Sequence, residues 1–95
     1  MRVEFHQAAS LEVEAAQAWY EERSLLAASG FLRELSTAID RIGEAPARYP
    51  QSEWGARRIL FERFPFALYY RIGQDIVTVI AVAHLKRRPG YWSRR

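Results

Sequence analysis

The hydrophobic pattern of this chain changes period part-way along its length. From Ser10 to Ile42 apolar residues recur every three or four positions, the spacing of one helical face; from Arg57 to Leu85 they recur every second position, the spacing of a strand. The change falls across EAPARYPQSEWG, residues 44–55, where two prolines and a glycine mark a loop. A chain patterned this way buries both sets of apolar residues only by laying helices against a sheet, which places it in the α+β class.

The order of elements follows from the same pattern. RVEFH reads as one strand, Arg2 to His6. AASLEVEAAQAWYEER is free of glycine and proline and predicts a helix. Ser10 is its expected N-cap, Glu12 and Glu14 stand in its first turn, and Leu11, Ala15, Ala18 and Trp19 form its expected buried face. A second helix from about Ser24 carries Leu25, Ala28, Phe31, Leu32, Leu35, Ala38, Ile39 and Ile42 on one side. Gly30 inside it suggests close packing against the first helix, and Gly43, with Pro46 beyond, is the expected stop. Two helices so closely joined predict an antiparallel hairpin. ARRILFERF, FALYYRI and IVTVIAVAHL then read as a three-strand meander, the last strand apolar on both faces as a central strand would be. The expected fold is therefore an N-terminal strand, a helical hairpin packed on a small antiparallel sheet, and a C-terminal meander completing that sheet. Its 95 residues form one domain, residues 1–95, with the first strand joining from the far end of the sequence.

Composition narrows the function. With no cysteine, disulfides and thiolate metal sites are excluded, and two histidines without a helical pair give no support for a metal. No cofactor is expected: there is no glycine-rich phosphate loop, nucleophile elbow or HExxH motif, and the basic half holds no paired carboxylates. MRVEFHQAAS lacks the apolar core of a signal peptide, and no run approaches the ~18 apolar residues of a membrane span. A cytoplasmic domain with no membrane association is expected. The net charge of +3 conceals a segregation, since residues 1–56 carry −4 and residues 57–95 carry +7. A positive surface on one side attracts phosphates or an acidic protein.

The candidate functional residues lie in that basic half. Arg57, Arg58, Arg63 and Arg71 fall on the first two meander strands, with alternation placing Arg57 and Arg63 on one face and Arg58 on the other. Guanidinium forks match phosphate geometry, so these residues could hold a nucleic-acid backbone or serve as surface charge. Tyr69 and Tyr70 point to opposite faces, one towards the core and one free to stack. His84 ends the most apolar strand, on the expected face of Ile76, Thr78, Ile80 and Val82, where it could act as acid or base or simply cap the strand. The terminal stretch HLKRRPGYWSRR adds Lys86, Arg87, Arg88, Tyr91 and Trp92, with Pro89 and Gly90 set to turn the rings back towards the sheet. Rings among arginines suit single-stranded nucleic acid, and equally suit anchoring of the C-terminus into the core. In either case the segment is expected to be docked. The carboxylates Glu12, Glu14, Glu21 and Glu22 read as the solvated face of the first helix.

Several stretches, in this order, resemble the RelE/ParE superfamily of bacterial type II toxin–antitoxin modules. They are WYEER, FLRELSTAIDRIGEAPARYP, RRILFERFPFALYYRI and IVTVIAVAHLKRRPGYW, and together they span nearly the whole chain. The resemblance implies a small toxin neutralised by a cognate antitoxin, either as a homodimer or in a heterotetramer with that antitoxin. Two activities share the fold. RelE-like members cleave mRNA on the ribosome. In that case His84 or Tyr91 would move the proton, with Arg58, Arg63 and Arg88 on the phosphate. ParE-like members bind and poison DNA gyrase without catalysis. AVAHLKRRP resembles the ParE-type ending, and the single lysine, Lys86, is unlike the lysine-rich ribosome binders. The ParE-like branch is therefore the expected one, acting through a convergent basic face that includes the terminal rings.

Overall fold

Strand β1 (Arg2–Phe5) passes directly into helix α1 (Gln7–Glu21), and helix α2 (Leu25–Glu44) follows after three residues. Two short 3-10 turns, Pro46–Arg48 and Glu53–Gly55, lead into β2 (Arg57–Leu60), β3 (Phe66–Ile72) and β4 (Ile76–His84). This computed structural model describes residues 1–95, except for the side chain of Glu53. The strands form one sheet in the order β1-β4-β3-β2, so β4 is central as its apolar run requires. β2, β3 and β4 are the expected antiparallel meander, whereas β1 pairs with β4 in parallel, from Arg2↔Ile76 to Phe5↔Val79. The sheet is thus mixed, not antiparallel throughout. A parallel neighbour needs a long connection, and between β1 and β4 the chain passes through both helices and then β2 and β3.

Both helices lie on one face of the sheet. Their core joins Ala9 and Ala16 of α1 and Phe31, Leu35, Ala38 and Ile42 of α2 to Phe66, Leu68, Tyr70, Val77, Val79 and Val82 of the sheet. Helix α1 begins four residues earlier than Ser10 as N-cap suggested, capped by His6, whose Nδ1 accepts the Ala8 N–H at 3.0 Å. Its buried face is Ala9 and Ala16 with Val13 and Tyr20 beside them. Leu11 and Trp19, read as buried, are about half exposed at 56% and 52%. The reason is distance: alanine lets α1 sit close on the sheet, and a tryptophan on that face would hold it off. Ser24 caps α2 as expected, accepting the Ala27 N–H at 3.1 Å. At its other end α2 runs through Gly43 to Glu44. Gly43 is there for contact with β1, because a Cβ would lie 3.2 Å from the Met1 carbonyl. Gly30 likewise admits the Phe64 ring at 3.3 Å rather than the first helix.

Two irregularities shape the rest. β2 stops at Leu60, so Glu62 and Arg63 fall in a loop whose backbone N–H groups donate to the Glu34 carboxylate at 2.7 and 3.0 Å. In β4 the register slips by one residue: Tyr69 faces Ala81 while Tyr70 faces Val79, leaving Ile80 as the bulge. The bulge reverses the alternation, so Val77, Val79 and Val82 all face the helices while Ile80 and Ala81 join a second cluster on the back of the sheet. Among the described residues no helix is long and apolar enough to cross a membrane.

Candidate functional site

The C-terminal segment after β4 closes over the back of the sheet. Trp92 is 1% exposed and packs with Ala56, Ile80 and Ala81. Its ring lies on Tyr69 at 4.3 Å between centroids, and Trp54 meets it edge-on at 5.7 Å. Gly90 makes the turn with φ +77°, and a Cβ there would fall 2.5 Å from the Trp54 ring, so only glycine fits. The expected turn, and docking of the tail, are therefore observed. Of the two tyrosines, Tyr70 is the core residue and donates its hydroxyl to the Pro46 carbonyl at 2.5 Å; Tyr69 stacks, on the protein's own indole.

Arginine side chains hold this layer in place. Arg71 donates to the carbonyls of Arg95 at 2.8 Å, Ser93 at 3.2 Å and Trp54 at 3.4 Å. Its planar fork suits several carbonyls at once. Arg57 points elsewhere and donates to the carbonyls of Tyr49 at 2.6 Å and Ala47 at 3.3 Å, pinning the loop before β2.

The most concentrated set of polar contacts centres on a residue read as ordinary helix surface. The Glu12 side chain is 13% exposed, and its Oε1 accepts the Val82 N–H and Arg95 Nη1, each at 3.0 Å. Its Oε2 accepts the Tyr91 hydroxyl at 2.5 Å and lies 3.4 Å from Arg87 Nη1. The Arg87 guanidinium also lies over the Tyr91 ring, 3.6 Å from its centroid. Burial, then the hydrogen bond to Glu12 and its negative charge, raise the Tyr91 phenol well above the ordinary tyrosine range; Arg87 and Arg95 oppose this in part. Only the period of α1 hinted at Glu12, which sits at the border of the Ala9–Val13–Ala16 face. Nothing in the local sequence links it to residues some 80 positions away.

His84 is half-buried on the helix side with Val82, not with Ile76, Thr78 and Ile80, because of the bulge. Its ring meets Phe66 edge-on at 5.2 Å, and its Nδ1 accepts the Lys86 N–H at 3.1 Å. It caps the strand. His84, Arg87 and Glu12 border a groove of about 410 Å³ floored by Ala16, Tyr20 and Phe66.

The basic residues thus divide into two sets. Arg57, Arg71, Arg87 and Arg95 are engaged within the fold. The side chains of Arg58, Arg63, Lys86 and Arg88 are exposed and have no partner among the described residues. Arg58 pairs across the strands with Tyr69, so it stands beside the tail-covered face, while Lys86 and Arg88 follow β4. Arg63 is apart from them, on a cleft of about 600 Å³ between α2 and β2. Among the described residues no cluster of three or more His, Asp or Glu side chains is placed to hold a metal ion.

This architecture has a counterpart among solved structures. A chain from the "Chromosomal ParDE TA system from P. aeruginosa" superposes with a TM-score of 0.77 over 88% of this chain and 95% of that one, at 15% identity. At that identity the likeness speaks for the fold. No curated protein matches the chain. The family model described as "ParE toxin of type II toxin-antitoxin system, parDE" matches residues 3–89, from β1 through the β4 exit. The match covers the helical hairpin, the meander and the start of the docked tail, and the chain belongs to the ParE toxin family.

Proposed function

We propose that this chain is the toxin of a type II toxin–antitoxin pair, that an acidic antitoxin neutralises it, and that it acts by binding DNA gyrase without cutting RNA. The observation that carries the non-catalytic reading is the commitment of the Tyr91 hydroxyl. The Tyr91 hydroxyl donates to Glu12, and its raised pKa makes it a weak acid. His84 spends Nδ1 on a backbone N–H and packs its ring on Phe66. Arg87, the cation nearest Tyr91, is held between that ring and Glu12. A phosphodiester at Tyr91 would have to displace a carboxylate already held by four donors.

What remains for a target is the set of free cations. Arg58 on the edge strand β2 and Lys86 and Arg88 at the β4 exit are the residues we assign to target contact, with Trp92 holding the tail that frames them. The positive C-terminal half favours encounter with an acidic partner. Antitoxin binding would also add stability to a domain this small.

The test is induction of the gene in cells without its antitoxin, read in parallel for the DNA-damage response and for message cleavage. The proposal predicts a damage response with messages intact. Cuts at translated codons by primer extension, without a damage response, would overturn it.

A further inference from the structure

β1 ends at Phe5, opposite Val79, but β4 continues five residues to His84. Beyond Val79 no strand among the described residues lies along the outer edge of β4, and side chains take its place: Arg95 Nη1 donates to the Ile80 carbonyl at 3.0 Å, and the Val82 N–H donates to Glu12. The same carboxylate gathers the Tyr91 hydroxyl and the Arg87 guanidinium. Four donors thus converge on one anion, two of them carrying full charge, which is the chemistry of an oxyanion-binding site.

We propose that Val82 N–H, Tyr91 Oη, Arg87 and Arg95 form an oxyanion cradle whose resident ligand is the protein's own Glu12 carboxylate, and that this tethered anion is the latch keeping residues 85–95 on the back of the sheet. Three of the four donors belong to that segment, so the anion joins the tail to α1 as well as to the strand edge. Ring packing of Trp92 on Tyr69 and Trp54 aligns the tail, but the end at Arg95 is held by Glu12, Arg71 and the Ile80 carbonyl. Without the anion, Arg87 and Arg95 would both remain near the Tyr91 ring with their charges no longer offset by Glu12, and the buried Val82 N–H would lose its acceptor. The cradle suits small monocarboxylates such as acetate, the part of the side chain that Glu12→Ala deletes.

The inference concerns the chain alone and does not depend on the target. The assay is hydrogen exchange, followed by mass spectrometry, of the full chain. Glu12→Ala should speed exchange in peptides from residues 85–95 at least tenfold, with α2 and β3 peptides unchanged. Acetate in the tens of millimolar should restore protection saturably, where chloride at equal ionic strength does not. If tail exchange is unchanged, Glu12 is no latch; if acetate acts no better than chloride, the cradle assignment fails. Should Glu12→Ala not fold, Glu12→Gln carries the test, since it keeps an acceptor for Val82 but removes the charge. It should speed tail exchange severalfold, and wild-type exchange would overturn the proposal.

Discussion

Replacing Trp92 by alanine removes the largest buried side chain on the back of the sheet. The indole is 1% exposed, lies on Tyr69 at 4.3 Å and meets Trp54 at 5.7 Å, so its loss opens a cavity bordered by two rings and by Ala56, Ile80 and Ala81. Truncations of this kind cost about 3–5 kcal/mol. Against the roughly 5–15 kcal/mol that stabilises a typical domain, that is about a fifth of the total or more. At this size each kcal/mol moves the melting temperature by about 4–8 °C, so Trp92→Ala should melt about 12–40 °C below wild type. Thermal and urea unfolding followed by circular dichroism would measure it, with Trp92→Phe expected to recover about half of the loss. A penalty below about 1 kcal/mol would refute the reasoning, because a ring that costs so little to remove is not part of a core.

Three further outcomes follow from individual contacts. Arg71→Lys keeps the charge but cannot span the carbonyls of Arg95, Ser93 and Trp54, and should cost about 1–2 kcal/mol in urea unfolding. The stability that the phenols of Tyr91, Tyr70 and Tyr20 contribute should hold up to about pH 10 and then fall, because burial raises them above their unfolded value near 10. The folded state holds those protons more tightly, so the stability present below the unfolded pKa is lost as pH rises through the folded one. Tyr91→Phe should make that alkaline fall shallower in a pH series of melting temperatures. Arg58→Ala and Arg88→Ala, at exposed positions with no partner among the described residues, should each leave stability within about 0.5 kcal/mol of wild type by the same melts.

What the sequence disclosed and what it withheld divide along physical lines. The change of hydrophobic period located both helices and all three meander strands, because burial on one face writes itself into local spacing. The face of α1 was misread because Leu11 and Trp19 outweigh alanine in any hydrophobic count, whereas close helix–sheet approach selects for smallness. The β4 bulge has no local signature, and it alone reassigns the face of His84 relative to Ile76 and Thr78. Docking of the tail was legible in Tyr91, Trp92 and the Pro89–Gly90 turn. That Arg57 and Arg71 serve backbone carbonyls, and that Glu12 collects donors from the far end of the chain, was not, since those contacts exist only after the fold brings distant residues together.

The proposed mode of action is a block of gyrase through cations that have no partner among the described residues. A supercoiling titration with purified protein tests it most directly, comparing wild type with the Arg58→Ala/Arg88→Ala double variant. Wild type should inhibit supercoiling, and the double variant should need about tenfold more protein or higher, the loss of about 1.4 kcal/mol of binding. Gyrase unaffected by wild type at large molar excess, or a double variant as potent as wild type, would contradict it.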